Sequence, residues 1–254
     1  MTVPFDQLLA SSAAAHGHLC PGQVVGVRLA LLGCRLLGFA VPCTHRQLKK
    51  LIVFVEMDRC TGDAVAHVTG VKLGRRSLKF KDYGIMAATF LNLETGQAFR
   101  VISTEEARDL APLYASPGLE KVRQQLQAYR VMPDSVLFRV QAVQVDLHPC
   151  DLPGPTRRKV ACARCGQVVR DQREVAREGV LLCRPCAGEA YFQEAQEISW
   201  PDMNWSPCRE NGDRGPEAGT GEDTCATRPC PPLPTTDPDH ATRRPAESDS
   251  RIQS

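Results

Sequence analysis

Four cysteines in the C-terminal part of the chain have the spacing of a closed zinc site. Two residues separate Cys162 from Cys165, two separate Cys183 from Cys186, and seventeen lie between the pairs. The short spacing lets both thiolates of a pair reach one ion, and four thiolates complete a tetrahedral zinc shell with no open position. A thioredoxin-like redox motif would need only one such pair. We therefore predict that these four cysteines hold a structural zinc.

A second group of possible ligands lies near the N-terminus. His16, His18 and Cys20 alternate along the chain, so an extended backbone would place all three on one face. Imidazole and thiolate groups are both good zinc ligands. The alternative interpretation is a polar start to a helix that contains one buried, inert cysteine.

Cys60 and Asp63 follow the most apolar strand in the sequence, residues 51–55. Cys60 lies near the start of a short predicted helix, a setting that lowers the pKa of a thiol. Asp63 and His67 are four residues apart and share a helical face, although His67 is equally well interpreted as a surface histidine. If the first long helix packs beside the strand, Cys20 and Cys60 meet at the strand end, where sites gather in open sheets.

The elements that must position these residues follow from the apolar pattern. Pro21 suits the first turn of a helix of about 18 residues, which Gly38 ends. A short helix over 63–68 follows the strand 51–55. Further along, the pattern predicts β-structure over 77–103 with a hairpin turn at 94–96, helices over 104–115, 118–130 and 187–196, and a strand over 136–145.

Composition divides the chain into three parts. A Pro-Gly-Pro linker ends an N-terminal domain, residues 1–152, and precedes a zinc domain, residues 158–196. Residues 201–254 are rich in Pro, Gly and charged side chains, and we predict a disordered tail there. The net charge of +2, from 31 basic and 29 acidic residues, gives no overall attraction to nucleic acid. The basic run 157–159 is the one local patch that favours binding to nucleic acid.

The cysteine content indicates metal or redox chemistry. The chain has 12 cysteines, and its start lacks the basic and apolar regions of a signal peptide. No apolar stretch is long enough to span a membrane. We therefore expect a cytoplasmic protein without a disulfide framework. Cys34 and Cys150 are expected to act as small apolar residues, whereas Cys43, in a polar loop, has no assigned role.

Three motifs occur in an order that resembles the family of proteins similar to the E-subunit of formylmethanofuran dehydrogenase. They are His16-Gly-His-Leu-Cys-Pro-Gly22, Cys60-Thr-Gly-Asp63 and Gly74-Arg-Arg-Ser-Leu-Lys-Phe-Lys-Asp-Tyr-Gly84. The similarity covers roughly residues 10–150, and the four-cysteine module resembles a zinc-finger appendage of some members. Members also occur far outside the methanogens for which the family is named.

The resemblance implies an α+β fold in which a mixed or antiparallel sheet is flanked by helices, and a homodimer. It also implies a metal-capable pocket near His18, Cys20 and Cys60, with Asp63 close by. With this resemblance, we predict a second metal site with the ligands His16, His18, Cys20 and Cys60. Asp63 is then either a further ligand or a partner that orients an imidazole. Ile85 departs from the family pattern, which has lysine there. If that lysine orients an anionic ligand, this chain has lost the interaction.

Three functions remain open from the sequence. The first is a metal-binding accessory to a molybdenum- or tungsten-dependent oxidoreductase, or a role in metal handling. The second is an enzyme that uses zinc or a redox dithiol on a small substrate, with Cys20, Cys60 and Asp63 as candidate catalytic residues. The third is a regulatory module whose zinc finger binds protein or nucleic acid, although nucleic acid is not the expected partner.

Overall fold

A computed structural model of the protein describes residues 3–196. The predicted tail, residues 201–254, lies outside the described residues, as do Cys208, Cys225 and Cys230. The chain divides into two compact units, of which the first extends to Arg158 and the second begins at Lys159. Among the described residues, no helix is long and apolar enough to cross a membrane.

The first unit contains seven helices and five strands in the described part of the chain. The helices are α1 (Phe5–His16), α2 (Pro21–Leu36), α3 (His45–Leu48), α4 (Cys60–Thr69), α5 (Glu106–Leu110), α6 (Lys121–Val131) and α7 (Asp134–Leu137). The strands are β1 (Leu51–Val55), β2 (Leu78–Phe80), β3 (Ala87–Asn92), β4 (Ala98–Ser103) and β5 (Phe138–Val143). Short 3-10 turns occupy Leu73–Arg75, Ala111–Tyr114 and Pro149–Asp151.

The five strands form one mixed sheet in the order β2-β1-β3-β4-β5. The β1 and β2 strands are parallel, and the other neighbours are antiparallel. Val53, Phe90 and Phe99 are aligned across β1, β3 and β4. Val53 and Phe90 belong to the main core, to which α2 also contributes, and Phe99 is partly buried against it. This helix-flanked mixed sheet confirms the predicted α+β class.

Helices α2 and α4 lie in close contact, and glycine on α2 allows it. A Cβ atom at Gly26 would lie 2.6 Å from the Cβ of Ala64 and 2.9 Å from the carbonyl oxygen of Thr61. Side chains cannot occupy that space, so the two backbones approach each other directly. Because Cys20 immediately precedes α2 and Cys60 begins α4, this packing also brings the two cysteines together.

Several element boundaries differ from the predictions. The helix predicted over 63–68 begins earlier, so Cys60 is its first residue. The helix predicted over 104–115 is divided into α5 and a 3-10 turn, and α6 begins later than the predicted 118. Strand β5 is shorter than 136–145, because α7 occupies its predicted start. Boundaries shift in this way since helix and strand ends depend on local capping and packing rather than on periodicity.

The second unit consists of two small hairpins and one helical turn. The strands are β6 (Lys159–Ala161), β7 (Val168–Arg170), β8 (Val175–Arg177) and β9 (Val180–Leu182). A π-helical turn spans Pro185–Glu189. The helix predicted over 187–196 is wrong, because Gly188 has a φ of 89°, and the chain leaves the helical conformation at that residue.

Candidate metal centre

Three side chains of the first unit bring possible metal ligands together. His16, Cys20 and Cys60 each contribute one ligand atom, and the three atoms lie within 4.8 Å of one another. All three residues are half-buried. A tetrahedral zinc keeps sulfur and nitrogen ligands roughly 3.5 to 3.8 Å apart, so binding would draw these atoms together by at most about 1 Å. The predicted ligands His16, Cys20 and Cys60 therefore converge.

His18, the fourth predicted ligand, does not belong to this converging group. Its ring is tilted against the ring of His16, with 4.8 Å between the ring centres. Gly17 separates the two histidines and has a φ of 98°, where it ends α1. The left-handed turn breaks the extended alternation that predicted a shared face for the three N-terminal residues.

A carboxylate fixes the imidazole of His16. Nδ1 of His16 lies 2.9 Å from Oδ2 of Asp63, which is one turn into α4. Asp63 therefore has the role of orienting an imidazole, which is one of the two roles open to it from the sequence. Nε2 of His16 is buried and has no hydrogen-bond partner among the described residues. A buried polar atom without a partner carries a free-energy cost that a metal ion would remove.

The donor set fits a transition metal, since two sulfurs and one imidazole nitrogen converge. Because Nδ1 of His16 is engaged by Asp63, Nε2 is the nitrogen left for coordination. Carboxylate–histidine–metal arrangements of this kind fix the ring and raise the basicity of the ligand nitrogen. Two cysteines and one histidine form a known ligand set for zinc with an open fourth position.

A buried polar relay supports the backbone of Cys60. Gln23 is fully buried in the first turn of α2. Its amide oxygen accepts a 2.6 Å hydrogen bond from the Ser12 hydroxyl, and its amide nitrogen donates a 2.8 Å bond to the carbonyl of Cys60. The relay links α1, α2 and α4, the three helices that supply the converging ligands. The sequence analysis missed it, although a glutamine directly before an apolar helical run was the available signal.

The environment of Cys60 corrects the expectation of a lowered thiol pKa. Burial raises the pKa of the Cys60 thiol, and its contact with Cys20 raises it further. The hydrogen bond that lowers the pKa comes from the Cys60 backbone and is the weaker influence. In the absence of metal, Cys60 is therefore a thiol at neutral pH, and coordination would displace its proton.

His67 has a partner away from the metal centre. Its Nε2 lies 3.1 Å from the hydroxyl of Ser11 on α1. The interpretation of His67 as a satisfied surface histidine agrees with this contact.

The second unit brings together the four cysteines of the predicted zinc site. Their sulfur atoms all lie within 4.8 Å of one another, and the sulfurs of Cys165 and Cys183 are 3.7 Å apart. Burial raises the pKa of Cys162, but backbone hydrogen bonds, including those from Cys165 and Cys183, lower it to about 6. Cys162 is therefore largely a thiolate at neutral pH, which is the form that binds metal.

One contact between cysteines escaped the sequence analysis. Cys43, expected to lie in a polar loop without a role, is 9% exposed, and its sulfur lies 3.8 Å from that of Cys34. Cys34 is buried in α2, as expected for a small apolar residue. The only sequence signal for the pair was two cysteines on either side of a Gly- and Pro-containing loop.

Comparison with known proteins identifies both parts of the chain. Residues 15–139 match the family model FmdE, described as "Molybdenum formylmethanofuran dehydrogenase operon". The N-terminal domain is thus similar to the FmdE family. Residues 154–192 match the prokaryotic dksA/traR C4-type zinc finger, and this range contains all four cysteines of the second unit. The chain is thus an FmdE-type domain followed by a C4 zinc finger.

Two relatives extend this assignment. A protein of Archaeoglobus fulgidus, named "Probable S-adenosyl-L-methionine-binding protein", is 25% identical over 212 residues, which are 73% of this chain. The matched region spans 54% of that relative, or about half of its length. The crystal structure of a tungsten formylmethanofuran dehydrogenase FmdE-like protein from Syntrophus aciditrophicus matches with a TM-score of 0.50 and 20% identity. The match covers 74% of this chain and 94% of that one, and supports the fold.

Proposed function

We propose that the FmdE-type domain binds a transition-metal ion through Nε2 of His16 and the sulfurs of Cys20 and Cys60. The buried Nε2 of His16, which lacks a hydrogen-bond partner among the described residues, is the observation that carries the proposal. The convergence of two thiols with this histidine supports it independently. Zinc suits the donor set best, because two soft sulfurs and one imidazole favour it over harder cations.

Three protein ligands leave one tetrahedral position open. A metal in such a site acts as a Lewis acid on the molecule that takes the open position. Asp63 keeps the imidazole in one orientation, and the relay through Gln23 keeps the backbone of Cys60 in place. The C4 zinc finger differs, because its four cysteines leave no open position and fit a structural ion.

In the cell, the proposed role is that of an accessory to a molybdenum- or tungsten-dependent oxidoreductase, or of a protein that handles metal. The family description supports it, because it refers to the operon of a molybdenum formylmethanofuran dehydrogenase. The partner oxidoreductase and a homodimeric state belong to this proposal. Ile85 is exposed and occupies the position where the family pattern has lysine. The variant Ile85→Lys would test whether a lysine at this position allows an anionic ligand to bind.

A redox dithiol is the second candidate function. It is favoured by the direct interaction between the thiols of Cys20 and Cys60, which raises the pKa of Cys60. Without metal, the two thiols would lose their hydrogens to a small disulfide, which is reduced to two thiols as the Cys20–Cys60 disulfide forms. Counting of reactive thiols in the oxidised and reduced chain separates this function from metal binding.

The test is a metal titration of the full chain and of single-site variants under anaerobic conditions. We expect Cys20→Ser, Cys60→Ser and His16→Gln each to lose one equivalent of bound Co²⁺ or Zn²⁺ relative to the unmodified chain. Cys150→Ser is the matched control, because Cys150 is also a cysteine of the first unit but lies outside the cluster. Full metal content in both Cys20→Ser and Cys60→Ser would contradict the proposal.

A further inference from the structure

Cys34 and Cys43 form a second pair of thiols, separate from both metal clusters. Their sulfurs are 3.8 Å apart, and both residues belong to the main hydrophobic core. Cys34 lies in the last three residues of α2, and Cys43 lies in the loop that connects α2 to α3. Neither residue is part of the groups that converge as metal ligands among the described residues.

The sulfurs of Cys34 and Cys43 need to move only a short distance to form a disulfide bond. A disulfide has a sulfur–sulfur distance of roughly 2.05 Å, so the two atoms must approach by about 1.8 Å. Cys43 lies outside regular secondary structure, between Pro42 and Thr44, whose side chains are exposed. Rearrangement of this loop can therefore supply the movement without a change in α2.

The two thiols are not equivalent. Cys34 is fully buried, whereas Cys43 is 9% exposed and is the more accessible of the two thiols. The hydrogen bond from Cys34 outweighs burial and lowers the pKa of Cys43. The same contact, together with burial, raises the pKa of Cys34. Cys43 is thus the better nucleophile of the pair, and Cys34 is the thiol that reacts second, with the oxidised Cys43.

We propose that Cys34 and Cys43 are an oxidation site that reacts with hydrogen peroxide or a small organic peroxide and closes to a disulfide. The disulfide would connect the α2–α3 loop covalently to the C-terminal end of α2. This reaction requires neither the zinc finger nor the proposed metal centre.

The chemistry balances with peroxide as the only co-reactant. The sulfur of Cys43 attacks one peroxide oxygen, the O–O bond breaks, and the leaving oxygen takes a proton to give water or an alcohol. Cys43 is then a sulfenic acid. The sulfur of Cys34 attacks the sulfur of Cys43, the S–O bond breaks, and water leaves with the proton of Cys34. Two thiols have been oxidised, and one peroxide has been reduced.

Distance separates this site from the candidate metal centre. Cys20 caps the start of α2, and Cys34 lies fourteen residues further along the same helix. A helix rises 1.5 Å per residue, so the two sites are about 21 Å apart. Oxidation of Cys34 and Cys43 can therefore be measured independently of metal binding at the candidate metal centre.

The experiment uses the full chain with its metals in place. The reduced protein is treated with hydrogen peroxide, the remaining thiols are alkylated in denaturant, and tryptic peptides are analysed by mass spectrometry. Cys34 falls in the peptide 29–35 and Cys43 in the peptide 36–46. We expect these two peptides to appear joined, lighter by two hydrogens than their sum, and to separate again after reduction by dithiothreitol.

Two variants and one internal control complete the test. Cys43→Ser should abolish the linked species and leave Cys34 fully alkylated, whereas Cys34→Ser should trap Cys43 as a sulfenic acid that reacts with dimedone. Cys150 is buried to a similar extent, with 6% exposure, and should stay alkylated throughout. Complete alkylation of both Cys34 and Cys43 in the peroxide-treated native chain would overturn the proposal. Oxidation of Cys34 in Cys43→Ser would also do so.

Discussion

At the scale of single residues, the candidate metal centre depends on the hydrogen bond between His16 and Asp63. The two residues are 47 positions apart, and their side chains meet only because α1 packs against α4. The sequence could name both residues as candidates, but it could not show which imidazole nitrogen remains available. That detail decides whether the histidine can act as a ligand.

Asp63→Ala should weaken metal binding by roughly 10- to 100-fold, because the imidazole of His16 loses its orienting carboxylate. The measurement is a competition titration with a chromophoric chelator. Asp58→Ala is the matched control, since Asp58 is an exposed acid two residues before Cys60. Equal metal affinity of Asp63→Ala and the unmodified chain would show that the carboxylate has no role.

Gln23→Leu should destabilise the first unit by about 1–3 kcal/mol, because the carbonyl of Cys60 and the hydroxyl of Ser12 lose their buried partner. Denaturant unfolding followed by helical circular dichroism measures the change. Ser12→Ala removes only one end of the relay and should cost less. A Gln23→Leu chain as stable as the unmodified one would refute the importance of the relay.

At the scale of elements, apolar periodicity predicted the longest helix and the strands of the sheet in their order, but not the helices α1, α3 and α7. It succeeded for β1 and the start of α2, because a buried strand and a proline-initiated helix have strong local signals. It failed for residues 187–196, where the positive φ of Gly188 ends the helical turn. The pairing of Cys34 with Cys43 was also missed, because the apolar periodicity of a sequence does not specify the path of an irregular loop.

The close contact of α2 with α4 gives a prediction about Gly26. Gly26→Ala should cost about 1–3 kcal/mol of stability, because the added methyl group meets Ala64 and the backbone of Thr61 and forces the helices apart. Metal affinity should fall as well, since Cys20 and Cys60 lie at the ends of these helices. Gly74→Ala is the control, because a Cβ atom there meets nothing within 4 Å. Equal effects of the two variants would contradict this account.

Asp134 connects α7 to α2 through Arg28 and Arg35, with contacts of 2.5 and 2.6 Å. Burial raises the pKa of Asp134, but the two guanidinium groups outweigh it and lower the pKa below the usual range. A folded pKa below the unfolded one adds stability that is complete above about pH 4 and is lost as pH falls through the folded pKa.

Asp134→Asn should therefore lower stability by about 1 kcal/mol at neutral pH, a modest value because Arg35 is largely exposed. The difference from the unmodified chain should shrink as the pH falls from about 4 through the folded pKa, below which Asp134 is protonated in both the folded and the unfolded state. Urea unfolding at a series of pH values measures this. A difference that grows on acidification would have the wrong sign for the proposed ion pair.

At the scale of the whole molecule, the two units differ in what stabilises them. The first unit has a large apolar core around the sheet. In the described part of the second unit, the buried residues are Cys162, Asp171, Cys183 and Ala187. Two of these four are cysteines of the four-cysteine cluster, so we expect the second unit to depend on a bound ion for folding.

Removal of metal by a strong chelator should therefore unfold the second unit and leave the first unit folded. Hydrogen exchange should rise over residues 159–196 and stay low in the sheet of the first unit. Cys162→Ser should have the same effect without chelator, whereas Cys60→Ser should leave the exchange of 159–196 unchanged. Persistent protection of 159–196 after complete metal removal would contradict this prediction.

The number of metal ions per chain decides whether each unit binds its own ion. The full chain, purified without oxygen, would be analysed by inductively coupled plasma mass spectrometry, with protein concentration determined by amino-acid analysis. We predict two metal ions per chain, falling to one in Cys60→Ser and to one in Cys162→Ser. One ion per chain, unchanged by Cys60→Ser and lost in Cys162→Ser, would contradict the metal centre built from His16, Cys20 and Cys60.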